Sequence, residues 1–365
     1  MIIFCEKITP RARYIADFIG GYFTGHPAKM TSDRGEFAAS DSARINYSRE
    51  NISVRCLRIS PHSLLFEQGI QEQVTNCFVY NGYPAFFKTD GDWPFDILSA
   101  IFYLLSRYEE YLPHQKDIYG RYAHENSLAF REGFLDKPLV NIWLNQFGEE
   151  LRKLFPPGNF IQQRFQFIPT YDIDEAYCYK YKSWWRSAGS ALRDLLSGKW
   201  KAFAQRRRVL NNKEQDPFDS YDQLHNLHRP YHCKPVYFFL MAAQTGRYDK
   251  NILPDETAMQ RLIKEHAAKY TIGIHPSWQS GDNAALLQSE KDMLEKTAGI
   301  KVTASRQHFI RLSLPSTYRE LLKAGVKEDY SMGYGSINGF RASVASSFYW
   351  YDLEKEEQTH LRLFP

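Results

Sequence analysis

Asp172 and Asp174, two carboxylates separated by one residue, follow an apolar run at 164–170, and three later runs end in comparable chemistry. The run at 270–274 leads into His275-Pro276-Ser277, the run at 300–304 into Ser305-Arg306-Gln307-His308, and the run at 326–331 carries Asp329-Tyr330. Carboxylates and imidazoles gathered around one point suit a borderline divalent ion such as zinc, with positions left for water and substrate. A second carboxylate two residues from a ligating one can take a proton from an attacking water. Arg306 can orient that base and keep it ionised. The set describes metal-assisted hydrolysis. Taken singly, each group has a plainer role. A D-x-D can cap a helix or turn, His275 can be a bonded loop residue, Arg306 can pair with any carboxylate, His308 can belong to the core and Asp329 can cap a turn. Their shared position after successive strands is what argues for a site.

The elements that must position these residues alternate strand with helix. Strands are expected at 164–170, 235–241, 270–274, 300–304 and 326–331, and helices at 256–269 and 284–298. This order predicts a parallel β/α architecture, barrel or open sheet, whose ligands bind at the carboxyl ends of the strands. Residues 1–155 are more mixed. They predict a helix opening at Thr9-Pro10 and running to about 23, strands at 53–59 and 76–87, a fully apolar helix at 93–105 after Asp92, and a helix at 138–155. Pro156-Pro157-Gly158 breaks the chain. The expected domains are therefore 1–158 and 159–365.

Composition narrows the function classes. With 365 residues, 43% hydrophobic and 24% charged, the chain is neither disordered nor a coiled coil. A formal charge of +4, from 46 Lys+Arg against 42 Asp+Glu, gives no footprint for nucleic acid. Five well-separated cysteines make neither a disulfide framework nor a zinc knuckle. The start of the chain has no signal-peptide pattern, and no apolar run reaches the roughly 20 residues of a membrane span, so a cytoplasmic protein is expected. Residues 184–210 stand apart, with Arg186, Arg193, Lys199, Lys201 and Arg206-Arg207-Arg208 against Asp194 alone, interleaved with Trp, Leu and Phe. They read as a basic amphipathic helix pair on an anionic surface, which would make the protein peripheral at the inner face of the membrane, or as a solvated helical excursion.

Thr170-Tyr171-Asp172-Ile173-Asp174, Ile272-Gly273-Ile274-His275-Pro276-Ser277 and Arg306-Gln307-His308-Phe309, in that order, resemble the polysaccharide deacetylases of carbohydrate esterase family 4, including their D-x-D variants. The resemblance spans roughly residues 164–352. Phe95-Asp96-Ile97 with the segment 106–113 resembles the accessory domain of two-domain bacterial members. The family implies an α/β fold, a distorted β/α barrel here incomplete at its C-terminal end, and a divalent metal, commonly zinc. Its activity is removal of acetyl groups from a carbohydrate substrate. Carried over, Asp172 is the catalytic base, Arg306 its orienting arginine, and Asp174 and His275 are metal ligands. Ser277, Asp329 and Tyr330 would face the substrate. Two departures stand out. The family's second metal-binding His falls at Gln279, an unusual zinc ligand, which makes His308 the candidate third ligand. Where members carry an L-x-H whose His is the catalytic acid, this sequence reads Leu361-Arg362-Leu363-Phe364-Pro365, so the acid comes from elsewhere or from beyond these residues. The rival readings are a non-catalytic carbohydrate-binding or membrane-surface protein on a degenerate barrel, and a hydrolase of small C–N bonds.

Overall fold

The computed structural model describes residues 1–156, 158 and 160–365; Pro157 and Asn159, beside the expected boundary at Gly158, lie outside the described residues. The chain is a mixed α/β protein with parallel sheets. It divides into two compact units, residues 1–165 with 310–322 and 327–365, and residues 166–309 with 323–326. Residues 327–365, expected in the second domain, thus group with the first unit.

The first unit opens with β1 (Ile2–Phe4), α1 (Pro10–Thr24), β2 (Lys29–Thr31), α2 (Arg34–Ala39), β3 (Arg44–Tyr47) and β4 (Leu57–Ile59), whose strands form a parallel sheet in the order β2-β1-β3-β4. Helix α1 starts as its sequence predicts, with Thr9 Oγ1 accepting from the Ala12 N–H at 3.1 Å and Pro10 at the first position. The single strand expected at 76–87 is instead a hairpin, β5 (Phe78–Tyr80) and β6 (Tyr83–Ala85). Asn81 and Gly82 both adopt positive φ, 47° and 81°, the mark of a tight I′ turn. The apolar helix, α3 (Ile97–Leu105), is buried at every residue. Its cap is Asp96, which accepts from the Ser99 N–H at 3.0 Å. Asp92, which precedes the apolar run, accepts from the Arg58 N–H at 2.7 Å instead. Short α4 (Leu128–Arg131) and long α5 (Leu139–Leu154) complete this stretch.

Beyond α3 the buried Glu110 carboxylate accepts from Arg107 Nε and Arg341 Nε, each at 2.8 Å. Burial opposes its ionisation, but the two guanidinium groups outweigh burial and hold the carboxyl at about 2. Because the folded value lies below the unfolded one, this contribution is complete above about pH 4.5 and is lost as pH falls toward 2. Glu110→Gln should remove on the order of 3 kcal/mol of stability at neutral pH and flatten the acid limb of a urea-melt series across that window.

The second unit contains β7 (Thr170–Ile173), α6 (Trp184–Leu196), α7 (Trp200–Leu210), α8 (Tyr221–His228), β8 (Val236–Leu240), α9 (Thr257–Ala267), β9 (Thr271–His275), α10 (Ala284–Ala298) and β10 (Ala304–Ser305). Its strands are parallel and hydrogen-bonded in the order β7-β8-β9-β10. The expected closed barrel is not formed among the described residues. Among the described residues β7 pairs with β8 alone, so the sheet is open there. Residues 327–365 give the first unit β11 (Glu328–Asp329), β12 (Phe348–Asp352) and β13 (Glu357–Leu363), with β11 parallel and β12 antiparallel to β13.

Candidate metal centre

Strand alternation sorts the residues of the second unit by face. Ile173, Tyr237, Phe239, Ile272 and Ile274 turn into a core shared with Met259, Leu262 and Ile263 of α9 and Leu294 of α10. Their neighbours Asp172, Asp174, Phe238, Gly273 and His275 therefore belong to the opposite face, at or near the carboxyl ends of the strands. Asn251 pins two of those ends together. Its Nδ2 donates to the Ile173 and Leu240 carbonyls at 2.9 and 3.2 Å, and its Oδ1 accepts from the Ala176 N–H at 2.9 Å.

Asp174 Oδ1 lies 3.1 Å from His275 Nε2 and 3.5 Å from His308 Nε2. One ligand atom from each of the three residues falls within 4.8 Å of the others. The two imidazoles are buried, whereas the Asp174 side chain remains half exposed, leaving the cluster open on one side. Each imidazole is held from behind. His275 Nδ1 donates to the Arg306 carbonyl at 2.6 Å, and His308 Nδ1 sits 3.1 Å from Asp249 Oδ1. Asp249 is buried and also accepts from the Trp278 N–H at 2.9 Å, which fixes its carboxylate. With their Nδ1 atoms so engaged, each ring in its neutral form would present an Nε2 lone pair inward.

Three electron-pair donors therefore face one another, an arrangement that only a proton or a cation satisfies. The ionisation equilibria record the same tension. Burial acts to raise the Asp174 carboxyl, but hydrogen bonding to His275 and the charges of both imidazoles bring it below the usual carboxylate value. Burial acts to lower His275, but Asp174, Asp172 and the Arg306 carbonyl raise it above the usual imidazole value. Two nitrogens and one carboxylate oxygen, with each imidazole oriented by an outer acceptor, fit a divalent ion that keeps positions open.

Asp172 has a different partner. Arg306 Nη1 donates to its Oδ1 at 3.2 Å, Nη2 donates to Thr170 Oγ1 at 2.7 Å, and the guanidinium carbon stands 5.0 Å from the centre of the Phe238 ring. Gly273 makes room for this stack, since a Cβ there would lie 2.5 Å from the Phe238 ring and 2.9 Å from the Ala304 carbonyl oxygen. Gly273→Ala should therefore destabilise the protein by about 1–3 kcal/mol, read as a lower urea midpoint at unchanged slope.

The structure thus brings together Asp172, Asp174, His275, Arg306 and His308. Ser277 is buried beside them but turned inward, its N–H on Glu290 Oε2 at 2.9 Å and its Oγ accepting from the Ser280 N–H at 3.2 Å. Asp329 and Tyr330 belong to the first unit. Asp329 is buried and takes both the N–H and the Oγ–H of Ser331 at 2.9 Å, while Tyr330 stacks on Phe364 at 4.5 Å. Gln279 is exposed and opens a short 3-10 turn outside the triad.

Sequence reasoning missed Asp249, Thr170 and Phe238. Asp249 lies in the long loop after β8, where no local signal separates it from Asp255. It also missed an aromatic cluster beside His308. Tyr248 stacks on Trp278 at 4.0 Å, and Phe309 meets both edge-on at 5.4 Å.

A family model described as "Family of unknown function (DUF7033)" matches residues 1–156. No curated protein matches the chain. Among solved structures, one described as "putative polysaccharide deacetylase from Mycobacterium smegmatis" is similar at 10% identity with a TM-score of 0.30, covering 50% of this chain and 53% of that one. The match spans about half of that structure's chain, and a likeness of this size bears on neither substrate nor activity.

Proposed function

We propose that the second unit is a metal-dependent hydrolase that removes acetyl groups from a sugar or polysaccharide. The observation that carries this reading is the division of labour within one D-x-D. Asp174 faces two imidazoles, and Asp172, on the same side of the strand, faces a guanidinium. One carboxylate is thereby committed to a cation and the other stays available as a base.

A divalent ion, zinc being the expected one, would be held by Asp174, His275 and His308 and would supply Lewis acidity toward the acyl carbonyl. The chain's own residues orient the water, take up its proton and seat the sugar. Asp172 Oδ2 accepts the proton of the attacking water while Oδ1 stays on Arg306, so the base keeps its direction throughout. Asp249 keeps the His308 ring from turning. The half-buried faces of Tyr248, Trp278 and Phe309 give the apolar side of a pyranose ring a flat surface beside the triad.

Acetate release from O-acetylated and N-acetylated oligosaccharides, by protein loaded with zinc and by protein stripped with chelator, tests the reading. Metal-dependent release is expected. Sugar binding without release at any metal loading would replace it with a carbohydrate-binding role on a non-catalytic centre. Turnover of cyclic amides or ureides in place of acetylated sugars would move the substrate class.

A further inference from the structure

Helix α6 is built inside out. A helix on a protein surface ordinarily turns its apolar stripe inward and its polar stripe to water. In α6 the residues at 184, 188, 192 and 196, spaced by four, with Trp185 beside them, lie on the exposed side. Trp184 is 82% and Leu196 81% exposed, and no residue of the helix is buried. The polar side is the one held by the chain, because Arg206 of α7 donates to Ser190 Oγ at 2.7 Å and to Asp194 Oδ2 at 2.8 Å while stacking on Tyr179 at 4.6 Å. Arg186 further ties the hairpin down by donating to the Lys250 carbonyl at 2.9 Å. Trp200, 66% exposed, extends the apolar side past the turn into α7.

Charge identifies what covers this face. Residues 184–210 hold seven Lys and Arg against one Asp. That lone Asp is consumed inside the hairpin by Arg206, and Arg208 pairs with Glu214. Arg193, Lys199, Lys201 and Arg207 are exposed and make no ion pair among the described residues. Two copies meeting face to face would oppose like charges, which disfavours self-association. We propose that the α6–α7 hairpin docks on an anionic lipid surface, with Trp184, Trp185, Leu192, Leu196 and Trp200 entering the headgroup boundary and the basic residues meeting lipid phosphates. The tryptophans suit that depth, since an indole has an apolar body and a polar N–H. No helix among the described residues is long and apolar enough to cross a membrane, so the hairpin lies on the surface. Arg206 is a structural strut of the hairpin and takes no part in lipid contact.

Flotation of the full chain with phosphatidylcholine vesicles, with and without phosphatidylglycerol, is the test. Binding is expected on the anionic vesicles alone and should weaken with added salt. Lys199→Ser/Lys201→Ser/Arg207→Ser should reduce it on the order of a hundredfold. Leu192→Ser/Leu196→Ser should reduce it with no change in circular dichroism. Absence of binding to anionic vesicles, or equal binding to both kinds, overturns the proposal. So does a concentration-dependent dimer in sedimentation that Leu192→Ser/Leu196→Ser dissolves, because the face would then be an interface between copies.

Discussion

Replacing Asp174 and His275 together by Ala should abolish stoichiometric zinc uptake, leaving His308 as the sole remaining ligand of the triad. One imidazole cannot hold a divalent ion at micromolar concentration against water, so elemental analysis after gel filtration should read near zero. Asp249→Asn asks a finer question. Asp249 is outside the triad, but its carboxylate fixes the His308 ring and sharpens the lone pair on Nε2. Loss of such an outer partner typically lowers metal affinity ~10–100-fold. A competition titration with a fluorescent chelator should therefore rank wild type, Asp249→Asn and the double variant in that order. Full zinc occupancy in the Asp174→Ala/His275→Ala protein would remove the site from consideration. Equal affinity in wild type and Asp249→Asn would mean that the charge of Asp249 does not tune His308, because an asparagine oxygen there still accepts from Nδ1.

The order wild type, outer partner, ligand pair also separates what the sequence carries from what only packing creates. The D-x-D, His275 and the Arg306–His308 stretch are legible because each directly follows an apolar run, and the strand period then puts Asp172 and Asp174 on one side. Helix α10 spans residues 284–298 as its periodicity predicts, and α1 begins at its Thr9-Pro10 signal. Asp249 is not legible in that way. It lies in a loop of 16 residues between Leu240 and Thr257, and nothing local tells it from Asp255. What selects it is burial beside His308 and the Trp278 N–H, a contact between segments far apart in sequence. Strands of three residues, such as β1 and β2, are too short to show a period, and their pairing is non-local. Barrel closure failed as an expectation for the same reason, because alternation of strand and helix fixes neighbours but not whether the last strand returns to the first. Asp329 ends a strand as the other candidates do, yet its carboxylate is taken by Ser331, a bond that the strand pattern alone does not reveal.

Removing the base without removing the metal separates the two aspartates by function. Asp172→Asn keeps the volume of the side chain and still offers an oxygen to Arg306 Nη1, so the fold and the triad should be untouched and zinc content unchanged. An amide cannot accept the proton of an attacking water. Acetate release should therefore fall by ~10²–10⁴, the usual worth of a positioned general base. Arg306→Lys probes the same base from its other side. A lysine ammonium can meet Asp172 but cannot span both Asp172 Oδ1 and Thr170 Oγ1, nor stack as a plane on Phe238. Its loss should be smaller and should appear in kcat more than in KM, because the substrate is not what Arg306 touches. Double-variant analysis then gives the sharper reading. If Arg306 acts only through Asp172, adding Arg306→Lys to Asp172→Asn should have no further effect on acetate release. Additive losses would assign Arg306 a separate contact with substrate. Full activity in zinc-loaded Asp172→Asn would leave the reaction without its base and end the proposed chemistry.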